Sequence, residues 1–260
     1  MRVNAYIDGY NLYHSEEELK DNRLKWVNLR ALCQHFCDEG DILDKVYYFT
    51  TLAEYYRFDF KKSYKPNVHN IYMDEFLSGF GVEKRLGNFK KTKIGECPKC
   101  KKILYGHKEK QTDINLALQV YDDAIENRFD KAFLVTADTD FASVIMKIKE
   151  NIKTHNKKIV ILAPHKCNKK NFGGVDRIYK LKKEHFAGHL LPKYGKNGAM
   201  MSIYNLLITQ SEKQNKLQID NATKFSERIA FPPKEFPQCE KCKDYLSYEF
   251  YEKISKNINS

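Results

Sequence analysis

Long hydrophobic runs, glycine and proline are all scarce in this chain, and each scarcity excludes a class of protein. The longest apolar runs, such as residues 159–163, have the length of a strand and fall far short of the roughly 20 residues that cross a bilayer. With 12 Gly and 7 Pro in 260 residues, the chain is neither collagen-like nor of low complexity. Residues 1–8 lack the apolar segment of a signal peptide, so we expect a cytoplasmic protein.

Acidic residues are outnumbered along most of the chain but not everywhere. There are 45 Lys and Arg against 34 Asp and Glu, a formal net charge of +11. Residues 84–110 hold ten basic and two acidic side chains, and residues 155–185 hold nine and two. Residues 111–145, between them, hold seven acidic and two basic side chains. Each run alone fits a solvated surface, but together they favour a surface that binds a polyanion around a site that needs negative charge.

Short apolar segments alternate with segments of helical periodicity along most of the chain. Strands are predicted at 3–7, 45–51, 82–94, 131–137, 157–163 and 177–181, and helices at 27–37, 66–79, 112–126 and 140–152. A turn is predicted at Asp8-Gly9, directly after the first strand. The alternation predicts an α/β fold with an open parallel sheet and helices on both faces.

The domain organisation follows from a change of composition near residue 190. We expect one domain over residues 1–190, interrupted by a cysteine-bearing insertion at residues 95–108. Residues 191–260 are expected to form a C-terminal extension. Because this extension is too short for an independent core, we expect it to pack back on the domain.

Aspartates follow two of the predicted strands. Asp8 comes after the first strand, and Asp138 and Asp140 come after the strand at 131–137. In an open parallel sheet the carboxyl ends of the strands share one edge, where ligands bind. Asp113 lies in the first turn of the helix at 112–126, whose N-terminus is expected near the same edge.

Asp113 also lies on the apolar stripe of its helix, with Leu116, Val120 and Ala124. We therefore expect its side chain to point inward, where it needs a partner such as a lysine, a helix cap or a metal ion. Each of these aspartates, taken singly, also fits a helix cap or a turn.

A cluster of carboxylates at one edge needs positive charge. Two carboxylates 4 Å apart repel each other by about 4 kcal/mol at an effective dielectric constant near 20. Ligands that are all oxygen favour Mg²⁺ or Mn²⁺ over Zn²⁺. Such an ion within a basic surface indicates phosphate chemistry, in which the metal activates a water. Lysines at the rim would bind the phosphate backbone of a polymer, and the candidates are Lys90, Lys91, Lys93 and Lys110.

Three separated segments resemble one known family. Residues 6–12 (YIDGYNL), 109–113 (EKQTD) and 136–141 (TADTDF) are similar to motifs of NYN domains, the LabA-like branch of the PIN-like nuclease superfamily, in order and in context. The resemblance covers residues 1 to about 190.

The resemblance implies a metal-dependent ribonuclease whose in-line attack leaves a 5′-phosphate. Its site residues would be the acidic quartet, with Asn11 beside the first aspartate and Thr136 before the later pair. The quartet is Asp8, Asp113, Asp138 and Asp140.

Two other functions are compatible with parts of the pattern. A non-catalytic RNA-binding or adaptor module could keep the acidic edge without the chemistry. A phosphatase of the haloacid dehalogenase type also carries a D-x-D motif after an apolar strand, but in that family the motif comes early in the chain. Here Asp8 and Asp113 precede the D-x-D of residues 138–140.

Two C-x-x-C pairs have the spacing of zinc half-sites. They are Cys97 with Cys100, and Cys239 with Cys242. We expect one structural Cys₄ zinc site, with the alternatives that His107, His165 or Cys167 completes either half, or that all four are reduced thiols. Cys33 and Cys37 are expected to be small hydrophobic side chains of a helix.

Aromatic side chains that could stack on unpaired bases are most concentrated at residues 55–64, where they alternate with lysine and arginine. His14, close to Asp8 in sequence, is either a phosphate contact or an ordinary surface histidine.

Overall fold

The computed structural model describes residues 1–53, 69–70, 72–96, 101, 103–164 and 172–191. Its strands are β1 (Arg2–Asp8), β2 (Ile42–Thr50), β3 (Val82–Leu86), β4 (Asn88–Glu96), β5 (Ile103–Lys110), β6 (Lys131–Val135), β7 (Lys158–Ala163) and β8 (Arg177–Lys180). Its α-helices are α1 (Gly9–Glu18), α2 (Leu29–Gln34), α3 (Thr112–Ile125), α4 (Ala142–Glu150) and α5 (Lys183–Gly188).

A parallel sheet of six strands forms the centre of the protein. Its order is β3-β2-β1-β6-β7-β8, and every neighbouring pair is parallel. The α/β fold with a parallel sheet is therefore confirmed. The chain order reverses between β1 and β6, so the crevice outside the carboxyl ends of these two strands is the switch point where ligands bind in such sheets.

The central strands are buried because their residues are apolar along both faces. All residues of β6 are buried, and so are Val3 to Asp8 of β1. Continuous apolar runs of this kind are typical of parallel sheets covered on both sides. The contacts fix β1 and β6 in register, with Ile7 opposite Val135, so that Asp8 and Thr136 follow at the same level.

The predicted turn at Asp8-Gly9 is wrong, because α1 begins there. Asp8 is the N-cap of α1, and its side chain accepts a hydrogen bond from the backbone N–H of Asn11. Gly9 is required for a close approach, since a Cβ would lie 2.7 Å from the carbonyl oxygen of Phe49. The strand therefore passes directly into a helix that starts at the sheet edge.

Two other predicted elements differ in detail. In the predicted helix at 66–79, the described residues form a π-helical segment, Tyr72–Leu77, followed by a 3₁₀ turn, Ser78–Phe80. The predicted strand at 82–94 is divided at Gly87 into β3, which joins the large sheet, and β4, which forms a two-stranded sheet with β5.

The chain divides into two compact units. One contains Met1–Phe89 and Glu109–Leu191, and the other contains Lys90–Lys108 and Pro192–Ser260. The expected packing of the C-terminal extension stays a prediction, because residues 192–260 lie outside the described residues. In the part of the chain that the structure describes, no helix combines the length and the apolar character needed to cross a bilayer.

Two neighbouring glutamates on α1 occupy opposite environments. Glu16 is 6% exposed, and burial raises its pKa well above the usual value although Lys25 acts in the opposite direction. Glu17 is exposed. Its partial burial raises its pKa, but hydrogen bonds from Tyr13 and Lys25 and the charge of Lys25 outweigh this effect and leave the pKa lowered.

We expect Glu16→Gln to raise the free energy of unfolding at pH 7 by about 1–2 kcal/mol. Because the folded-state pKa of Glu16 is raised, its stability contribution is complete below the unfolded pKa and is lost as pH rises through the folded pKa. The gain should therefore shrink toward zero near pH 4, as measured by urea unfolding at both pH values. Glu17→Gln is the matched control and should give no gain at pH 7, since the lowered pKa of Glu17 makes its charged form stabilising. An equal gain from both variants would contradict the assignment.

Candidate functional site

Asp8 lies at the switch point, between the end of β1 and the start of α1. Its side chain is buried with 4% exposure. Oδ1 accepts a hydrogen bond from the backbone N–H of Asn11 at 3.0 Å, and Oδ2 accepts one from the hydroxyl of Thr136 at 3.1 Å. These two contacts hold the carboxylate in one orientation at the sheet edge.

Thr136 and Asn11 connect the two segments that follow β1 and β6. The Thr136 hydroxyl donates to Asp8 and accepts from the backbone N–H of Asp138 at 3.0 Å. The Asn11 side-chain oxygen accepts from the backbone N–H of Ala137 at 3.0 Å. Both predicted site residues thus position the aspartates, which is a role that the sequence pattern did not specify.

Asp138 and Asp140 lie in the connection from β6 to α4. Asp138 is the N-cap of a 3₁₀ turn, Thr139–Phe141, and its Oδ1 accepts from the backbone N–H of Asp140 at 2.9 Å. Asp138 is half-buried and Asp140 is exposed. The cap uses one oxygen of Asp138, so carboxylate lone pairs remain for a ligand at the edge.

The prediction that Asp113 points inward is wrong, because its side chain is exposed. The buried face of α3 is made by Thr112, Leu116, Val120, Asp123 and Ala124. By its spacing, Asp113 lies on the same side of α3 as these buried residues. It is in the first turn of the helix, however, where it is exposed to solvent. The sequence periodicity predicts which side of a helix a residue lies on, but it does not predict which turns of the helix are covered by the core.

The four aspartates nevertheless interact with one another electrostatically. Burial raises the pKa of Asp8 to about 7, with further increases from Asp113 and Asp138 and opposing effects from the hydrogen bonds of Asn11 and Thr136. Partial burial, together with the charges of Asp138 and Asp140, raises the pKa of Asp113 although the residue is exposed to solvent. At this edge, therefore, the negative charges of neighbouring aspartates add to the effect of burial on Asp8 and Asp113.

This edge fits a hard divalent cation in its chemistry. Its donors are carboxylate oxygens, which Mg²⁺ and Mn²⁺ prefer, and a cation would lower the pKa values that mutual repulsion raises. Among the described residues, however, no three Asp, Glu, His or Cys side chains lie close enough together to hold a metal ion as they stand. The donors are thus gathered at one edge without a closed coordination sphere.

Glu109 is a further acidic residue of this edge that the sequence reasoning did not single out. Its Oε1 accepts from the hydroxyl of Thr51 at 3.2 Å and from the backbone N–H of Thr112 at 3.3 Å. The hydroxyls of Thr51 and Thr112 lie 3.1 Å apart. Burial and the charge of Asp113 raise the pKa of Glu109. The signal in the sequence is an acid three residues before the first helical residue, the spacing at which a side chain can satisfy a helix N–H.

Gly87 completes this arrangement, which we call the Glu109 clamp (Thr51, Gly87, Glu109 and Thr112). A Cβ at Gly87 would lie 2.5 Å from the Thr112 hydroxyl, 2.7 Å from the Lys110 carbonyl oxygen and 2.9 Å from the Thr51 hydroxyl. Gln111, next to the clamp, has a φ of 77°, a left-handed conformation that costs energy for a residue with a side chain. The clamp therefore fixes the N-terminus of α3, which carries Asp113.

We expect Gly87→Ala to lower the free energy of unfolding by about 1–3 kcal/mol, because one of the atoms that the new methyl group meets is backbone. Gly79→Ala is the control, since a Cβ there would meet nothing within 4 Å. Urea unfolding of both variants measures the difference. Equal free energies of unfolding for the two variants would show that the residues of the clamp can move aside for the methyl group at no cost in stability.

The predicted RNA-binding lysines fall in different parts of the chain. Lys110 is exposed and belongs to the same unit as the aspartates. Lys90, Lys91 and Lys93 belong to the other unit. There, Lys91 lies over the ring of Tyr105 at 4.6 Å, and Lys93 pairs with Glu96 at 2.7 Å. Their role in binding stays a prediction.

The predicted zinc ligands lie outside the described residues. This applies to Cys97, Cys100, Cys239, Cys242, His165 and Cys167, and also to the aromatic stretch at 55–64. Cys33 is buried and Cys37 is half-buried, and burial raises the pKa of both thiols. The prediction of small helical side chains is confirmed for Cys33 and wrong for Cys37, because α2 ends at Gln34.

The fold and the site together define an α/β protein with an acidic switch point at the carboxyl edge of a parallel sheet. The family model of the NYN domain matches residues 2–172. The chain therefore belongs to the NYN domain family, and the parallel sheet is consistent with the PIN-like, nuclease-like superfamily. This confirms the resemblance carried by the three motifs.

Two further comparisons give weaker relations. Over 180 residues the chain is 28% identical to 6-hydroxy-3-succinoylpyridine 3-monooxygenase HspA of Pseudomonas putida (strain DSM 28022 / S16), covering 57% of this chain and 56% of that protein. The match thus spans about half the length of this relative. A crystal structure of VPA0982, a protein of unknown function from Vibrio parahaemolyticus RIMD 2210633, is 17% identical, with a TM-score of 0.46, and the match covers 73% of this chain and 96% of that one.

Proposed function

We propose that this protein is a divalent-metal-dependent ribonuclease that cleaves RNA phosphodiester bonds at the acidic edge. The observation that carries the proposal is the placement of Asp8 and Asp138 at the switch point, joined through Thr136, with the charges of Asp113 and Asp138 acting on Asp8. When no cation is bound, carboxylates at one edge of the sheet repel one another, and this repulsion destabilises the folded protein. Family membership and the carboxylate donor set support the same function.

The residues have separate tasks in this proposal. Mg²⁺ or Mn²⁺ would be held by Asp8, Asp113, Asp138 and Asp140. When bound, such an ion supplies an activated water and neutralises the charge that develops on the phosphate.

The positioning residues hold the carboxylates before the ion arrives. Thr136 orients Asp8, and Asn11 keeps the start of α1 against the segment after β6. The Glu109 clamp sets the first turn of α3 and with it Asp113. Exposed lysines, with Lys110 in the same unit, would bind the RNA backbone.

The test uses purified protein, 3′-labelled single-stranded RNA and Mn²⁺, with EDTA in a parallel reaction. Cleavage is expected with Mn²⁺ and not with EDTA, and the downstream products should carry a 5′-phosphate. Cleavage in EDTA that matches cleavage in Mn²⁺ would contradict a metal-dependent mechanism.

A second candidate is a non-catalytic RNA-binding or adaptor module. One observation favours it: among the described residues, no three potential ligands are already close enough to hold an ion. RNA retention without cleavage in the same experiment would support this module over the nuclease. The name of the Pseudomonas relative describes that protein, and the carboxylate edge, not that name, carries our proposal.

A structural zinc site is a separate proposal for this chain. Its ligands would be Cys97, Cys100, Cys239 and Cys242. It rests on two C-x-x-C pairs with the spacing of zinc half-sites. Metal analysis of protein purified without chelator tests it, and the absence of zinc would contradict it.

A further inference from the structure

A row of aromatic side chains runs along α1 from the acidic edge. Tyr10, Tyr13 and His14 lie on one side of the helix, because residues three and four apart are neighbours on a helix surface. The rings of Tyr10 and His14 are 4.4 Å apart edge to face, and those of Tyr13 and His14 are 5.7 Å apart. We call these three residues the α1 aromatic row.

Tyr10 and His14 face away from the core of the protein, whereas Tyr13 is half-buried beside them. The buried residues of α1 are Gly9, Leu12, Ser15 and Glu16. Tyr10, by contrast, is 41% exposed, and the side chain of His14 is 52% exposed. A tyrosine and a histidine on the solvent side of a helix contribute little to the core, so their exposure needs another explanation.

The position of the row relative to the site is fixed by the N-cap. Asp8 caps α1, and Tyr10 is in the first turn, two residues further along. A polynucleotide whose phosphate lies at the acidic edge therefore brings a neighbouring nucleotide within reach of Tyr10. The ring lies on the same short rigid element as the cap, which fixes its distance from Asp8.

The charges around the row favour a neutral group over a phosphate. At its far end, Lys25 lies over the ring of Tyr13 at 4.6 Å. The carboxylate of Glu17 pairs with Lys25 at 3.2 Å and lies 3.7 Å from His14. Beside Tyr10 the aspartates of the edge repel phosphates, whereas the neutral face of a base is not repelled.

We propose that the α1 aromatic row is a stacking site for an unpaired base, with Tyr10 as its main contact, which makes single-stranded RNA the substrate class. This rests on the proposed function, since it needs RNA at the acidic edge. Stacking on an aromatic ring accepts any base, because every base has a π-face. A base inside a duplex already stacks on its neighbours and cannot contact the α1 aromatic row.

The test measures binding without cleavage. A fluorescein-labelled single-stranded RNA of about 12 nucleotides is titrated with the full chain at low salt and followed by anisotropy. Ca²⁺ replaces Mn²⁺ to neutralise the carboxylates, and a gel of the same samples checks that the RNA stays intact. Tyr10→Ala is expected to weaken binding about 5- to 100-fold, because stacking contributes that much per base. Tyr10→Phe keeps the ring and is expected to bind within about 2-fold of the wild type. Leu118→Ala, at a position 57% exposed on α3, is a control that should bind as the wild type does.

Each result that differs from these expectations contradicts either the stacking site alone or both the stacking site and the proposed function. If the wild type binds the RNA and Tyr10→Ala binds equally, the stacking site is wrong and the proposed function stands. If Tyr10→Phe loses as much as Tyr10→Ala, the hydroxyl and not the ring is the contact, and stacking is wrong. A wild type that binds no RNA overturns both the stacking site and the proposed function. Melting curves of the variants should match that of the wild type, because the ring is exposed.

Discussion

Asp138→Asn is expected to lower Mn²⁺-dependent RNA cleavage by more than about 100-fold, since loss of residues that only support metal ligands already costs 10–100-fold. The substitution removes one negative charge from the edge and changes little else. Asparagine caps helical turns as well as aspartate does, so its oxygen can still accept the hydrogen bond from the backbone N–H of Asp140. Loss of activity would therefore report the carboxylate rather than the fold.

The control for this substitution is Asp44→Asn. Asp44 is exposed near the start of β2, while the acidic site lies at the ends of the strands. Both variants should melt near the temperature of the wild type, and only Asp138→Asn should lose cleavage of labelled RNA. Full cleavage by Asp138→Asn would remove Asp138 from the site and the nuclease proposal with it.

Asp123→Ala is expected to lower the free energy of unfolding by about 1–3 kcal/mol, the usual cost of leaving a buried polar group without its hydrogen-bond partner. Asp123 is fully buried and accepts hydrogen bonds from three donors. They are the hydroxyl of Tyr6 at 2.7 Å, the side-chain amide of Gln119 at 2.9 Å and the guanidinium of Arg128 at 2.7 Å. Removing the carboxylate leaves a buried donor at Tyr6 without this acceptor.

The Tyr6 hydroxyl keeps its proton well above neutral pH. Burial and the charge of Asp123 raise the pKa of Tyr6 well above its usual value, so its hydroxyl remains a donor. Asp122→Ala is the matched control, since the neighbouring Asp122 is exposed, and it should change stability by less than about 0.5 kcal/mol. Urea unfolding at pH 7 compares the two variants. A similar small change in both would show that the network contributes little.

Two aspartates of α3 lie in contrasting environments. Asp123 lies near the C-terminal end of α3 and joins the core, whereas Asp113 lies in its first turn at the edge. In the sequence, both are acidic residues of the same acidic segment, residues 111–145. Only burial distinguishes the carboxylate that three donors satisfy from the carboxylate whose pKa its acidic neighbours raise.

The sheet could be predicted in detail because parallel strands have a distinctive composition. The runs at 131–135 and 158–163 are apolar at nearly every position, which is typical of strands buried on both faces. The helix at the end of β1 could not be predicted, because Asp-Gly is also a frequent turn sequence. The close packing of Gly9 on Phe49 decides between the two, and these residues are far apart in the chain.

The motifs around Asp8, Asp113 and Asp138 were visible in the sequence because chemistry at a strand end restricts residue type. The Glu109 clamp was not visible, because it joins Thr51 and Gly87 to Thr112 through contacts between distant segments. The α1 aromatic row was also missed, since its residues could be recognised only after α1 was known to be a helix.

By itself, the sequence determined the α/β class, the parallel direction of its strands and which aspartates follow them, because these depend on local composition and on the alternation of strands with helices. Tertiary structure alone decided which carboxylates are exposed, which residues hold them and where the chain turns into a helix. The physical reason is that burial and electrostatic repulsion depend on distances between segments, and those distances exist only after the sheet has formed.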